Sequence, residues 1–543
     1  MYRSLLSALA DFCRRHPAIA AVAATAIMLL VPAALTPFNT KGEPREAIVA
    51  LSMLMSGDWI LPVSFGADMP YKPPFLAWMI AIMSLPAGYV SEFTARLPSV
   101  VACMCLAATV ASFVRRDMNF SGGRALSVAI ITVTSVEVWR SGGACRVDMV
   151  LTAAITGACV LLYRLELQGG IRHFAGAVAL MTVAVLTKGP VGMVLPCLII
   201  AVWAMMARLG TRRFITLAGL VFCAAILSLL IPAWWYAEAY SRGGQRFLDL
   251  AIEENFGRMT GTMSYASHLN PWWYNIQSLA AGLLPYTLIF LLSLFAIKRP
   301  MIRSGKSLGL AARLAVAACA VTLVFYTIPA SKRSVYLLPM YPFLSIAILR
   351  TWEWLAYRQC KLAALFRGFI SVLGVIVAIA LVAAPFQPWI TGMSVWACWL
   401  CAIMVGAAVF AGRRVAPLPA TLGVIVAIYT AAGIAVLPPV MESKTDRDLA
   451  LSVESIVPEG EPVWELITHD PLLRYYTAGF YLADRIRLMP PTGPESDGWL
   501  LASPDDAASL AAANPDMTLN LCWQKARSCD SRRPVALYRL SRN

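Results

Sequence analysis

Charged residues are scarce in this chain of 543 residues, and their scarcity excludes an ordinary soluble protein. Only 14% of the residues are Asp, Glu, Lys or Arg, whereas 59% are hydrophobic. A soluble domain would carry about a quarter charged residues. The composition therefore predicts a polytopic membrane protein. The sequence also has no internal repeat and no low-complexity tract.

The charges that remain are mostly basic and give a net charge of +15. Short cytoplasmic loops of membrane proteins are rich in Lys and Arg, so this excess does not indicate a nucleic-acid partner. A basic flank precedes the first apolar run, and no small-residue cleavage site clearly follows it. We therefore predict an uncleaved first span rather than a signal peptide.

Thirteen apolar runs are candidates for membrane spans, although several are marginal against the roughly 20 residues that a span needs. They fall at approximately 17–37, 95–114, 124–140, 148–165, 173–187, 190–207, 214–236, 272–297, 308–329, 334–350, 363–384, 391–411 and 417–437.

The stretch 73–90 is also apolar enough to span. Counting it as a span would put most of the later basic loops outside. As an interfacial helix, it leaves the short basic loops and the N-terminus on the cytoplasmic side, as the positive-inside rule requires. The predicted transmembrane domain, 1–437, then begins inside, and its first outer loop, 38–94, contains interfacial helices.

Beyond residue 437 the sequence becomes polar and mixed in charge, which predicts a small outside α/β domain over 438–543. The β-like runs are Val463–Ile467, Trp499–Ser503, Thr518–Trp523 and Val535–Leu540, and the helical patches are Leu472–Ala483 and Asp505–Ala513.

Most cysteines lie in apolar segments, where they are small core residues. Cys103-x-Cys105 lacks a second ligand pair and does not indicate a metal site. Cys522 and Cys529 lie in the outside tail, an oxidising compartment in a bacterium. They are seven residues apart, so the segment can close as a short loop, and we predict a disulfide between them.

The positive-inside rule predicts few cations in the outer loops, so the Lys and Arg residues found there require an explanation. One reading is a polar cavity that holds a phosphate, with Arg as a bidentate donor and Lys as a point charge. The alternative is that these residues anchor anionic lipids or form salt bridges at loop ends. The candidate phosphate-binding cations are Arg45, Lys72, Arg146, Lys188, Arg258, Lys332 and Arg333. The nearby carboxylates are Glu43, Glu46, Asp148, Glu253 and Glu254.

The outer-loop motifs resemble, as an ordered set, those of the aminoarabinose transferase-like glycosyltransferases. That family belongs to the GT-C superfamily and is related to protein O-mannosyltransferases. The motifs are GEPREA at 42–47, SGDWILP at 56–62, PYKPPFLAW at 70–78, CRVDM at 145–149, TKGP at 187–190, HLNPWWY at 268–274 and SKRSVYLLPMYP at 331–342.

The resemblance implies an α-helical polytopic GT-C fold with about thirteen transmembrane helices and a small periplasmic α/β domain. It implies catalytic roles for Glu43 and Asp148, and contact of Lys72 with the lipid phosphate. Arg258 and Tyr336 match other groups around that phosphate. His268 is a candidate ligand for a divalent metal ion, and no other cofactor is expected.

Two motifs depart from the family's pattern. Many relatives have an Asp-Glu pair followed by Arg-Tyr, whereas Gly42 takes the Asp position here and Glu46 takes the Tyr position. Relatives also often have Glu where this chain has Tyr71. The missing Asp fits a phosphate acceptor, which needs no base, or a site in which Glu43 alone serves.

The resemblance implies transfer of a sugar from a polyprenyl-phosphate donor to an envelope lipid, such as lipid A, or to another acceptor. The expected location is the periplasmic face of the bacterial inner membrane, and a monomer surrounded by membrane lipids is expected. A polymerase or ligase of surface polysaccharide would share the donor chemistry. The alternative from another class is a lipid or solute transporter, which should show broken spans with mid-membrane charges.

Overall fold

The structure, a computed structural model, describes residues 2–257, 269–296, 308–358, 361–387, 392–470, 473–490 and 497–542. Most of the described chain is helical. The α-helices are α1 Tyr2–Arg15, α2 Pro17–Leu35, α3 Pro44–Ser56, α4 Phe75–Ser84, α5 Glu92–Arg116, α6 Gly122–Val133, α7 Val136–Gly142, α8 Val147–Gln168, α9 Ile171–Lys188, α10 Val191–Ala207, α11 Thr211–Ser228, α12 Leu230–Ile252, α13 Tyr274–Gly282, α14 Thr287–Ala296, α15 Leu310–Thr327, α16 Tyr341–Tyr357, α17 Lys361–Ala383, α18 Val395–Gly412, α19 Pro417–Ala431, α20 Leu437–Glu442, α21 Arg447–Ile456, α22 Tyr476–Tyr481 and α23 Pro504–Ala513.

Shorter helical segments of other types connect these elements. They are the π-helices Glu253–Gly257 and Ala432–Val436 and the 3₁₀-helices Ser334–Met340 and Ala384–Phe386.

Ten helical segments of the described chain are long and apolar enough to cross a membrane. Each coincides with one of the predicted spans, so the protein is an integral membrane protein with many spans. The segments are Pro17–Leu35, Glu92–Arg116, Val147–Gln168, Ile171–Lys188, Thr211–Ile252, Leu310–Thr327, Ser334–Tyr357, Lys361–Phe386, Val395–Gly412 and Pro417–Glu442.

The other three predicted spans fall on shorter or interrupted helices. The run 124–140 divides at Thr134 and Ser135 into α6 and α7, and the run 272–297 divides into α13 and α14. The run 190–207 forms α10, which has 17 residues. The ambiguous stretch 73–90 contains α4, whose ten residues extend about 15 Å, half the thickness of the hydrocarbon core. Helix α4 alone is therefore too short to cross the hydrocarbon core, and its interfacial position stays a prediction.

Two helix starts position most of the site. Helix α3 has Pro44 in its first turn, where a missing N–H costs nothing. It ends at Gly57, whose φ of 72° is the left-handed conformation of a helix C-terminus. Helix α8 begins after Arg146, whose backbone is extended, and carries Asp148 in its first turn. A carboxylate there is stabilised by the helix dipole.

The tail contains a five-stranded mixed sheet in the order β2-β1-β3-β5-β4. Strand β1 is parallel to β2 and β3, whereas β5 is antiparallel to β3 and β4. The strands are β1 Val463–Leu466, β2 Ile486–Leu488, β3 Gly498–Ala502, β4 Met517–Lys525 and β5 Val535–Arg542. The sequence predicted four of these strands and missed β2, which has only three residues.

The predicted disulfide between Cys522 and Cys529 is wrong, because both are free thiols. Strand β4 continues through Lys525, so extended chain leads away from Cys522. Cys522 itself lies at an irregularity in the pairing with β5. The amide of Cys529 is held instead by Asp446, 2.9 Å from the carboxylate.

The tail packs against the outer loop rather than standing apart from it. Buried residues of the spans, the outer loop and the tail belong to one continuous apolar core. Phe38, which follows the first span, meets Phe480 of α22 with ring centroids 4.9 Å apart. The tail is thus packed against the outer loop, which carries several of the candidate site residues.

Candidate active site

A cavity of about 340 Å³ opens between the first outer loop and the starts of several helices. Its wall combines aromatic and aliphatic residues with a concentration of charges. The charged lining residues within the described chain are Arg45, Glu46, Lys72, Arg146, Asp148, Lys188, Glu254 and Arg333. Tyr326 and Tyr336 stack on each other, 5.1 Å between centroids, and line the same space.

On one side of the cavity, Lys72 forms an ion pair with Glu46. Arg45 also lies 3.4 Å from the same Glu46 oxygen. Both cations lie near the ring of Tyr71, at 5.8 Å and 5.7 Å respectively. Both cations thus share the Glu46 carboxylate, and Glu254 lines the same cavity.

The protonation of this pair follows from burial and from the second cation. Burial and the adjacent Arg45 lower the pKa of Lys72 to about 8, although Glu46 favours its charged form. Burial opposes ionisation of Glu46, but Lys72 and Arg45 hold the pKa of its carboxyl below the ordinary range. Lys72 is therefore a cation whose charge depends on pH near neutrality.

On the other side, Asp148 forms an ion pair with Lys188 at 2.5 Å. The ammonium group of Lys188 also lies 4.5 Å from the centre of the Tyr336 ring. Lys188 ends helix α9, and Gly189 follows with a φ of 74°, a backbone conformation that suits glycine. The TKGP motif is thus a tight turn that aims its Lys at the first turn of α8.

Arg146 and Arg333 line the same cavity and differ from these two ion pairs. In the described part of the chain, neither guanidinium has a carboxylate partner within ion-pair distance. Burial and the nearby Arg333 lower the pKa of Arg146 from its usual value. Two neighbouring guanidinium groups are suited to binding one shared anion.

Gly42 provides the room that Arg146 occupies. A Cβ atom at position 42 would lie 2.6 Å from Nη2 of Arg146, so any larger residue would displace the guanidinium. The guanidinium of Arg146 therefore fills the space beside Gly42 and makes it positively charged.

Glu43 is not among the residues that line the cavity, and the catalytic role expected for it stays a prediction. Its carboxylate receives two hydrogen bonds from Arg96, at 2.8 and 3.2 Å, and a third from the Cys145 amide at 2.9 Å. Glu43 and Arg96 are 7% and 2% exposed. A bidentate pair with so little exposure serves the fold, and Glu46 takes the cavity-facing position.

Lys332 also points elsewhere. Its ammonium group donates to the backbone carbonyls of Pro329, at 2.6 Å, and Asn270, at 3.2 Å. It therefore stabilises the loop that presents Arg333. The expected site residues Arg258 and His268 lie outside the described residues.

The sequence reasoning missed two members of this arrangement. Glu46 was noted as a carboxylate but given no role, although it lies one turn from Glu43 and lines the cavity. Arg96 was not considered, although an Arg at the start of an apolar span needs a partner. That rule, applied to Arg96, would have predicted a buried acidic partner such as Glu43.

A divalent metal ion does not fit the described cavity residues. Asp148 and Glu46 each have a Lys partner rather than a second carboxylate or a His. The described residues bring three potential ligands together only in the tail, at Asp446, Cys529 and Asp530. There Asp530 accepts hydrogen bonds from Thr477, and Asp446 pairs with Lys525.

Comparisons with known proteins agree with this architecture. A sequence-family model described as dolichyl-phosphate-mannose-protein mannosyltransferase matches residues 71–236. Crystal structures of ArnT from Cupriavidus metallidurans, one of them bound to undecaprenyl phosphate, have the same fold. The bound form gives a TM-score of 0.73 at 19% identity and covers 96% of this chain and 97% of that one. This chain is ArnT-like in sequence and fold.

Sequence relatives extend over part of the chain. An uncharacterized protein of Aquifex aeolicus is 30% identical over 310 residues, 56% of this chain and 66% of that protein. The undecaprenyl phosphate-alpha-4-amino-4-deoxy-L-arabinose arabinosyl transferase of Pseudomonas aeruginosa is 26% identical over 278 residues, 50% of this chain and 49% of that protein. The chain thus spans about half to two thirds of the length of the curated relatives it matches. The resemblance to the aminoarabinose transferase-like family is confirmed.

Proposed function

We propose that this protein is a membrane glycosyltransferase that moves a sugar from a polyprenyl-phosphate donor to an anionic envelope lipid, such as lipid A. The reaction takes place at the periplasmic face of the bacterial inner membrane. The observation that carries the proposal is the pair Arg146 and Arg333, which line the cavity without a carboxylate partner in the described chain. The proposal retains Asp148, Lys72, Arg45, Lys188 and Tyr336 as site residues.

The chemistry requires positive charge more than it requires a base. As the bond from the anomeric carbon to the donor phosphate breaks, negative charge grows on the phosphate oxygens. An acceptor oxygen forms the new bond to the same carbon, and polyprenyl phosphate leaves. Fixed cations aimed at the phosphate stabilise this transition state. Arg146 and Arg333, assisted by Lys72, supply that charge.

The cavity charges favour an acceptor that is already anionic. Of the three cavity carboxylates in the described chain, Asp148 and Glu46 each have a Lys partner, and a carboxylate paired with Lys is a weak general base. The space near Gly42, where an acidic side chain could stand, is filled by Arg146. A phosphate acceptor needs positioning rather than deprotonation, and Asp148 orients Lys188 and stabilises positive charge at the sugar.

The proposed periplasmic orientation of the cavity rests on the distribution of basic loops. The positive-inside rule puts the loops after α5, α8 and α10 in the cytoplasm. The cavity is lined by residues near the starts of α3, α8 and α10. Helices α8 and α10 run from the cavity towards those basic loops, which agrees with a site on the opposite, periplasmic face.

The test is turnover by the purified protein in lipid nanodiscs. The substrates are a polyprenyl phosphate that carries a radiolabelled aminoarabinose and lipid A as acceptor. We expect labelled lipid A and free polyprenyl phosphate in equal amounts from the natural sequence, and neither from Asp148→Asn. Donor that is moved across the bilayer but recovered intact would favour a transporter and contradict the proposal.

The acceptor can be identified separately by mass spectrometry of lipid A and other envelope glycolipids from a deletion strain. Loss of one sugar from lipid A would support the proposed acceptor. Loss of a sugar from another glycolipid, with lipid A unchanged, would retain the transferase and reject lipid A. An unchanged set of envelope glycolipids would contradict transfer to a lipid.

A further inference from the structure

The tail contacts the outer loop closely at Phe65. Its backbone N–H donates to Oδ1 of Asp484 at 2.7 Å. Its backbone carbonyl accepts from the amide of Leu488 at 3.2 Å. Both partners belong to the tail, Asp484 after α22 and Leu488 in β2. The tail therefore fixes both polar backbone groups of one loop residue.

The side chain of Phe65 completes this contact. It is 1% exposed, and its ring meets that of Tyr476 edge to face, with centroids 5.7 Å apart. A Cβ atom at Gly479 would lie 2.7 Å from the Phe65 ring, so only glycine permits this approach. Phe65 has a φ of 53°, a conformation that a bulky residue adopts only where its surroundings impose it.

Asp484 is held as firmly on the tail side. Its φ is 57° and that of the preceding Ala483 is 49°. Two successive left-handed residues are unfavourable, although Asp tolerates this conformation better than most. The amide of Asp484 donates to the Gly479 carbonyl at 2.8 Å. Its other carboxylate oxygen lies 3.4 Å from the hydroxyl of Ser52 in α3, so Asp484 also ties the tail to the helix that carries Glu46.

A second contact lies between Phe65 and the cavity. Ser64 and Asp68 exchange backbone hydrogen bonds at 2.9 and 2.7 Å and close a tight turn around Phe65. The carboxylate of Asp68 forms a 3.0 Å ion pair with Arg474 of the tail. Lys72 follows only four residues later and reaches the cavity.

We propose that the tail acts as a positioning unit for the donor site. Through Asp484, it holds the turn around Phe65 and so sets the place of Lys72. Asp484 is thus a positioning residue that acts on the lipid phosphate through the loop. This inference rests on the proposed function, because it assigns Lys72 to the donor phosphate.

Asp484→Ala removes the acceptor for the Phe65 amide, whereas Asp484→Asn retains a side-chain oxygen for it and tolerates the left-handed backbone. Asp506→Ala is the matched control. Asp506 is also buried in the tail, but its described partners, Ser503 and Thr468, both lie in the tail. It should weaken the tail without releasing the loop.

The first measurement is kinetic, with the full-length protein in nanodiscs. We expect Asp484→Ala to raise the KM for the polyprenyl-phosphate sugar, and the Kd for undecaprenyl phosphate, by about tenfold, the equivalent of one charge-assisted hydrogen bond. The kcat should change little, and Asp484→Asn should restore most of the affinity. Asp506→Ala should lower the thermal midpoint yet keep the natural KM. Equal KM values for the two Ala variants would overturn the inference.

Hydrogen exchange separates this inference from the proposed function, because it needs no substrate. In Asp484→Ala, amide exchange over residues 64–72 should accelerate by at least about tenfold. In Asp506→Ala, that segment should keep its natural rate. Unchanged exchange in Asp484→Ala would reject the positioning role even if transfer occurs. Exchange could also be faster in Asp484→Ala while the natural protein neither binds undecaprenyl phosphate nor transfers sugar. That result would support the contact between the tail and the loop. It would reject the transferase, and with it the assignment of Lys72 to the donor phosphate.

Discussion

Glu43 and Glu46 lie three residues apart at the start of the same helix, but they have different environments. Glu43 is enclosed with Arg96 and the Cys145 amide. Glu46 faces the cavity and pairs with Lys72. The partners explain the difference, since Arg96 comes from an apolar span and Lys72 from an outer loop. Neighbouring carboxylates in one motif can thus serve the fold and the site separately.

The largest expected effect is on folding, from Glu43→Ala. Arg96 stays protonated at any accessible pH, so the variant leaves a buried charge without a carboxylate partner. Such a loss costs about 3–5 kcal/mol. Glu46→Ala should cost less, because its partner Lys72, with a pKa of about 8, can lose its proton.

Thermal midpoints of the detergent-purified variants, monitored by size-exclusion chromatography, check this prediction. Glu43→Ala should lower the midpoint more than Glu46→Ala does. A stable Glu43→Ala protein that has lost only transfer would restore the catalytic role and break the comparison.

The next effect is on catalysis, from Arg146→Gln and Arg333→Gln. Each variant removes a positive charge that would stabilise the negative charge developing on the phosphate. The loss of one such donor typically lowers kcat by about 10²–10³-fold. The folded protein should tolerate both, because neither arginine has a described carboxylate partner to strand. Arg140→Gln is the control, since Arg140 pairs with Glu137 rather than lining the cavity. A comparable loss of kcat in Arg140→Gln would show that the effect is not specific to the arginines that line the cavity.

Lys72→Ala should weaken binding of undecaprenyl phosphate by roughly 1.5–3 kcal/mol, which is about 10- to 150-fold. The reason is loss of a cation that one carboxylate shares with Arg45. Isothermal titration in nanodiscs measures the change. An affinity equal to that of the natural protein would remove Lys72 from the site.

A smaller effect is expected from pH, through the same lysine. Lys72 has a pKa of about 8 in the fold, against 10.5 for the free side chain. Affinity for undecaprenyl phosphate should therefore fall as pH rises from 7 through about 8, and Lys72→Arg should flatten the profile. The effect of Lys72 on stability has the opposite dependence on pH. Between about pH 8 and 10.5 the unfolded chain binds more protons than the folded protein, so the free energy of unfolding rises with pH in this range. A pH-independent affinity in the natural protein would contradict the assignment.

The spans were predictable because their length and apolar composition are local properties, as with Pro17–Leu35. The interruption at Thr134 and Ser135 was not, because an apolar run does not reveal where its helix breaks. The division between Glu43 and Glu46 was also hidden. Arg96 lies 53 residues from Glu43, and only the fold decides which carboxylate it meets. The disulfide failed because seven residues can close a loop only where the chain is not held in a strand.

The central claim is that the cavity cations, and not the Glu43–Arg96 pair, bind the donor's phosphate. It is tested most directly by titrating undecaprenyl phosphate into nanodiscs that hold one of three proteins. These are the natural protein, the double variant with Arg146→Gln and Arg333→Gln, and the control variant Arg140→Gln. We expect saturable binding to the natural protein and to Arg140→Gln, and loss of at least about tenfold in affinity for the double variant. Equal affinity in all three proteins, with the double variant fully folded, would contradict the account.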